Sequence, residues 1–212
     1  MKALVIGATG ATGTALVQQL LQNNNYHEVV VFVRRKSFPP NAKLTEVIVD
    51  FDHLQNYAHL ITGDVAFSCL GTTLKMAGSK QAQWKVDYDY QYNFACICAD
   101  NQVKKMVLLS AIGANANSFF FYNKLKGSLE EAVKKLSFSC ILIFQPGSLI
   151  RPDSDRFAEK ISVKLLLFLN KIGILKNLAP ISVRQLAQSM QLALNKFHHG
   201  VHIISLKKIM EL

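Results

Sequence analysis

The sequence predicts an α/β fold, one doubly wound parallel sheet with a small lobe near its C-terminus. Three observations carry that expectation. Apolar runs of strand length recur along the chain, helical patterns lie between most of them, and the first run breaks at once into a glycine-rich turn. The runs fall at residues 3–6, 29–33, 46–49, 65–68, 106–109, 139–144 and 201–204, and the helical patterns at 14–22, 80–99, 119–136 and 183–195. Continuous β-branched runs alternating with helices imply parallel strands covered on both faces. With 212 residues, half of them hydrophobic, residues 1–212 suit a single domain with a large core.

The first strand leads into Gly7-Ala8-Thr9-Gly10-Ala11-Thr12-Gly13, three glycines at three-residue spacing with a helical pattern directly behind them. Glycines let the backbone turn sharply and approach a pyrophosphate, while a helix N-terminus offers free N–H groups and partial positive charge. The spacing is GxxGxxG rather than the common GxGxxG, and its placement after the first strand marks a dinucleotide site.

The second strand ends in Arg34-Arg35-Lys36. An acidic residue here would bind ribose hydroxyls; an arginine fork suits a 2′-phosphate, so NADP(H) is expected over NAD. Asp50 follows the third strand, where it serves either the adenosine or as a cap for the turn behind it. Gly71-Thr72-Thr73 follows the fourth strand, at the same sheet edge.

Ser110 ends the fifth strand, and Tyr122 and Lys126 stand four apart in the next helical pattern, on one face. A lysine ammonium favours the phenolate, drawing a tyrosine pKa down from about 10. Such a tyrosine exchanges the substrate hydroxyl proton while hydride passes to or from nicotinamide, and Ser110 would bind the same substrate oxygen.

These residues resemble those of the short-chain dehydrogenases/reductases over nearly the whole chain. The glycine pattern is similar to that of extended and atypical members. Cys69-Leu70-Gly71-Thr72-Thr73, Val86-Asp87-Tyr88-Asp89-Tyr90, Leu108-Leu109-Ser110-Ala111 and Tyr122-Asn123-Lys124-Leu125-Lys126-Gly127 resemble the Tat-interacting-protein-like atypical reductases. The resemblance implies a Rossmann fold, NADP(H), and Ser110, Tyr122 and Lys126 as the catalytic set, with Lys126 also holding the nicotinamide ribose. Gln145-Pro146-Gly147 resembles the family's Pro-Gly segment near the nicotinamide. Asp87 stands where the family often has a relay asparagine, and Gln145 where arginine is frequent.

Residues 152–180 break the alternation and hold one helical pattern, from about 157 to 169. They are expected to form a small lobe over the carboxyl ends of the strands, or an ordinary surface helix; the apolar run 165–169 would equally serve a homodimer contact. The stretch 165–175 is too short to span a membrane and no signal peptide precedes the first strand, so a cytoplasmic protein is expected. Cys69, Cys96, Cys98 and Cys140 sit in apolar surroundings and are read as reduced core residues. His198, His199 and His202 have no acidic partner at ligand spacing, so no metal site is expected.

The formal charge of +10 comes from scattered or doubled lysines and arginines. No recognition helix or basic cluster interleaved with aromatics accompanies it, which argues against nucleic-acid binding. The expected activity is an NADP(H)-dependent oxidoreductase acting on a carbonyl or alcohol. The alternatives are an NADP(H)-binding regulator with little turnover and epimerase- or dehydratase-type chemistry on a nucleotide sugar. Phe119-Phe120-Phe121 would supply core and an apolar pocket wall, and Trp84 core or interface.

Overall fold

A computed structural model describes residues 1–150 and 180–212. Seven parallel strands form the main sheet: β1 Lys2–Ile6, β2 Glu28–Val33, β3 Leu44–Ile48, β4 Val65–Ser68, β5 Lys105–Leu109, β6 Cys140–Gln145 and, last in the chain, β9 Gly200–Ser205. Their order across the sheet is β3-β2-β1-β4-β5-β6-β9. The direction of winding reverses between β1 and β4, and this is the point where ligands of such sheets bind. The architecture is a Rossmann-type α/β fold.

The pleat explains how uninterrupted apolar runs cover both faces. Along β1, Ala3 and Val5 enter one core cluster, while Leu4 and Ile6 enter the other. Helices α1 (Ala11–Gln22) and α6 (Val183–Lys196) pack on the first face through Leu16, Leu20, Leu186 and Met190. The second face is covered by α4 (Tyr90–Asp100) and α5 (Phe121–Val133) through Phe94, Ile97 and Leu129. Each such side chain, fully withdrawn from water, stabilises the fold by roughly 1.5–3 kcal/mol.

Every predicted strand is present, with ends moved by at most two residues. The helical pattern 80–99 is one unbroken helical run that changes pitch: α3 (Lys80–Trp84), a π-turn (Lys85–Asp89), then α4, with helical backbone angles at both joints. The pattern 119–136 is shorter in the structure, because Phe120 is extended (φ −80°, ψ 122°) and caps α5 from outside. Four features lack a periodic signal long enough to predict. They are the 3₁₀ segment Phe51–Leu60, the short helices α2 (Leu74–Ala77) and α7 (Leu206–Met210), and the two-residue pairing of β7 (Leu149–Ile150) with β8 (Ile181–Ser182). The lobe expected at residues 152–180, with its helix at 157–169, lies outside the described residues except for Pro180.

Candidate functional site

A cleft of about 730 Å³ opens at the carboxyl edge of the sheet, over the reversal between β1 and β4. Its first wall is the glycine turn. Gly7 has a left-handed backbone (φ +73°), and a Cβ there would lie 2.3 Å from the Cys69 carbonyl carbon. Gly13 is equally constrained, since its Cβ would fall 2.1 Å from the Gly7 oxygen. These two glycines shape the turn from beneath, while Gly10, Ala11 and Thr12 face the cleft. Helix α1 starts there with no side-chain cap and no acid in its first turn. Its first N–H groups are therefore available to an anion, and the cradle fits a diphosphate. Thr9 is exposed on the rim of the turn.

The second wall is Leu70-Gly71-Thr72-Thr73, which follows β4. A buried polar network fixes this loop. Asp87 Oδ1 accepts the Thr72 N–H at 2.7 Å, and the Gln83 amide donates to the Thr72 carbonyl at 3.3 Å. The Gln91 amide donates to the Asp87 carbonyl at 2.7 Å, and Ser68 Oγ donates to Gln91 at 2.7 Å. Asp87 sits in the π-turn, which places its side chain inward, fully buried. Burial raises its carboxyl pKa, opposed by the Lys126 charge and the Thr72 N–H.

The third wall brings Ser110, Tyr122 and Lys126 to the cleft. Ser110 follows β5, its N–H bonded to the Phe144 carbonyl at 2.8 Å. The loop behind it is held to α5: Asn123 Nδ2 donates to the Gly113 carbonyl at 2.8 Å, and Asn115 N–H donates to the Asn123 carbonyl at 3.0 Å. Gly127 allows this approach, because a Cβ there would meet Ala116 N at 2.2 Å. Tyr122 and Lys126 both line the cleft. Tyr122 is partly exposed, whereas Lys126 is 3% exposed and reaches towards the Leu109 carbonyl at 3.5 Å. Burial lowers the Lys126 pKa, against the opposing charges of Asp87, Cys69 and Glu130. The Cys69 thiol beside it is pushed up to about 12 by burial and stays protonated. Trp84 stacks on Tyr88 at 5.0 Å and tilts against Phe121 at 6.3 Å, bracing the end of α5 that bears Tyr122. Pro146 and Gly147 close the cleft beyond β6, and Phe120 and Phe121 form its apolar side.

Predicted residues outside these walls are also placed. Arg34 and Arg35 are exposed at the end of β2, on the same sheet edge, and neither forms an ion pair among the described residues. Asp50 is exposed at the end of β3 and fills the capping role: Oδ1 accepts the Asp52 N–H at 2.9 Å and Oδ2 meets His53 Nδ1 at 2.8 Å. The hydrogen bond from His53 holds its carboxyl below the usual range.

Glu130 joins the site without being among the residues the sequence predicts. It is 3% exposed, accepts the Ser110 hydroxyl through Oε1, and accepts the Gln145 amide through both oxygens at 3.0 Å. The signal was present, since Tyr122, Lys126 and Glu130 repeat every four residues along one face of α5. Among the described residues no cluster of metal-ligating side chains occurs, and no helix is long and apolar enough to cross a membrane.

Comparison with known proteins agrees with this geometry. A family model described as NAD(P)H-binding matches residues 7–138. The chain is 37% identical to Protein HTATIP2 of Rattus norvegicus over 150 residues, 69% of this chain and 62% of that protein, so it spans less than two thirds of that relative's length. It is 34% identical to Protein FMP52, mitochondrial, of Kluyveromyces lactis over 76% of each chain. In fold it resembles UDP-glucuronic acid 4-epimerase from Bacillus cereus in complex with NAD (TM-score 0.70, 17% identity, 100% of this chain and 80% of that one). The oxidoreductase ylbE from Lactococcus lactis is similar in fold as well (TM-score 0.70, 18% identity, 100% and 96%). A glycine cradle over an uncapped helix, a matching family model and relatives above 30% identity lead to one conclusion: the chain belongs to the NAD(P)H-binding Rossmann proteins of the atypical short-chain dehydrogenase/reductase type.

Proposed function

We propose that the chain is an NADP(H)-dependent oxidoreductase acting on a carbonyl or alcohol, with Tyr122 as general acid/base. The observation that supports this most is that Ser110, Tyr122 and Lys126 line the same cleft as the uncapped start of α1. A nicotinamide cofactor would supply or accept the hydride there. The residues of the chain do the rest. Gly10, Ala11 and Thr12 would hold the diphosphate, Leu70–Thr73 the adenosine side, and Pro146 and Gly147 the nicotinamide side. Arg34 and Arg35, with no acid at the end of β2, favour a 2′-phosphate.

Tyr122 gives its proton to the substrate oxygen in reduction and takes it back in oxidation. The buried Lys126 ammonium stabilises the phenolate between these events, and buried charge acts strongly because little water screens it. The apolar side formed by Phe120 and Phe121 suits a hydrophobic substrate. The chemistry does not depend on compartment: the FMP52 relatives are named mitochondrial, and the same cleft would serve in the cytoplasm.

The test is NADPH consumption with a panel of aldehydes and ketones. Turnover by the wild type, falling roughly 10²–10⁴-fold in Tyr122→Phe, is expected. Tight NADPH binding with no turnover across the panel would favour the second reading, an NADP(H)-binding regulator. One observation supports that reading: the Ser110 proton is committed to Glu130 rather than to the cleft.

A further inference from the structure

The charged groups of the cleft have one sign. Among the described residues its lining includes two lysines, Lys80 and Lys126, and no Asp or Glu. The stretches of chain that build its mouth, residues 70–86 and 111–129, hold five lysines and no acid. Lys85 is paired with Asp52 at 2.6 Å, and Lys126 is buried. Lys80 is exposed and forms no ion pair among the described residues. A cleft lined by one sign of charge focuses its field and draws in anions.

The position of Lys80 is fixed by the fold. It stands on α3 three residues before Gln83, and the two share the helix face that lines the cleft. Trp84, four residues on, tilts against Phe121 at 6.3 Å, and the Lys80 ammonium lies over the same ring, 5.5 Å from its centroid. Phe121 precedes Tyr122 in the chain, so this contact holds the ammonium at the end of the cleft that bears Tyr122. The aromatic face attracts the charge, yet it leaves N–H donors of the ammonium for an anion in the cleft. The phosphates of the cofactor have other partners in the proposed site, the uncapped start of α1 and Arg34 with Arg35.

We propose that Lys80 is a specificity-determining residue that binds a carboxylate, so that the substrate is an oxo acid. Such a substrate is an aldehyde or ketone whose apolar body lies along Phe120 and Phe121 and whose far end carries the carboxylate. A single ammonium is a point charge, which matches a monoanion. The proposal rests on reading the cleft as an NADP(H) site and narrows its substrate class. In reduction, hydride passes from NADPH to the carbonyl carbon, and the carbonyl oxygen takes the Tyr122 proton, leaving a hydroxy acid and NADP⁺. The carboxylate takes no part in these transfers, so Lys80 acts on binding without competing for the reacting proton.

The experiment is calorimetry on the full chain with NADP⁺ bound, comparing 4-acetylbenzoate with its neutral methyl ester. NADP⁺ cannot oxidise a ketone, so no hydride moves and affinity alone is read. The wild type is expected to bind the acid about two- to five-fold more tightly than the ester, with the preference shrinking as salt is raised. Lys80→Met keeps the length of the side chain without its charge and is expected to abolish the preference, while Lys80→Arg is expected to keep it. NADPH titration accompanies each protein. In cofactor-loaded wild type, equal affinity for acid and ester, or binding of neither, overturns the role of Lys80 alone. A preference retained in Lys80→Met does the same. NADPH binding weakened in Lys80→Met in step with the acid would assign the lysine to the cofactor and overturn the proposal as well. Failure of the wild type to bind NADPH and NADP⁺ overturns the cofactor reading, and the proposal with it.

Discussion

Asp87 holds the Thr72 N–H at 2.7 Å through Oδ1, while its Oδ2 has no hydrogen-bond partner among the described residues. A half-satisfied carboxylate, fully buried, is costly to keep ionised. It persists where it ties the π-turn to the loop that forms the second wall of the cleft. Asp87→Asn keeps an acceptor for Thr72 and removes the charge. Burial places the folded pKa of Asp87 above its ordinary value of 3.8. The folded state then binds the proton more tightly than the unfolded state, and stability falls as pH rises from 3.8 through the folded pKa. Urea unfolding across this range should show the wild type losing stability relative to Asp87→Asn. A wild type that gains relative to the variant would contradict the account.

Gly13→Ala should disrupt the glycine turn. The added Cβ would sit 2.1 Å from the Gly7 oxygen, a backbone atom that cannot rotate away. A loss of about 1–3 kcal/mol in urea unfolding is expected, together with loss of NADPH binding. A variant of wild-type stability that still binds would mean that the turn can open.

Gly127→Ala tests the seating of the serine loop on α5. Its Cβ would lie 2.2 Å from Ala116 N, so the loop must lift. Because the loop leads directly from Ser110, turnover should fall roughly ten- to hundred-fold while NADPH affinity holds. Equal losses in both would place the effect on the whole domain.

Tyr26 offers a test of the core away from the cleft. Its side chain is 2% exposed, and burial pushes its pKa up to about 12. Between about pH 10 and 12 the unfolded chain loses this proton and the folded chain retains it, so stability falls with rising pH by roughly 2–3 kcal/mol. Tyr26→Phe should remove that slope in a comparison of alkaline unfolding curves. A slope unchanged in the variant would assign it to other groups.

Much of this architecture is legible in the residues themselves. The strands are apolar on both pleat faces, so their runs stand out, and Gly7 and Gly13 mark the turn by steric need. Ser110, Tyr122 and Lys126 are separated in sequence by the same topology that brings them to one cleft. Other features depend on tertiary placement. Glu130 reads as a surface helix charge until the fold buries it against Ser110 and Gln145. Asp87 stands out in the sequence only through the family resemblance, and nothing there announces the π-turn that sends it inward. The 3₁₀ segment Phe51–Leu60 is kinked at His53, where the backbone leaves helical angles, so it has no steady period to detect.

The most direct measurement is calorimetric titration of cofactor-stripped protein with NADPH and with NADH, on the wild type and on Arg34→Ala. Tight NADPH binding, weaker NADH binding and loss of the preference in Arg34→Ala are expected. Preference for NADH would contradict the role given to Arg34, and binding of neither would contradict the reading of the cleft as a dinucleotide site.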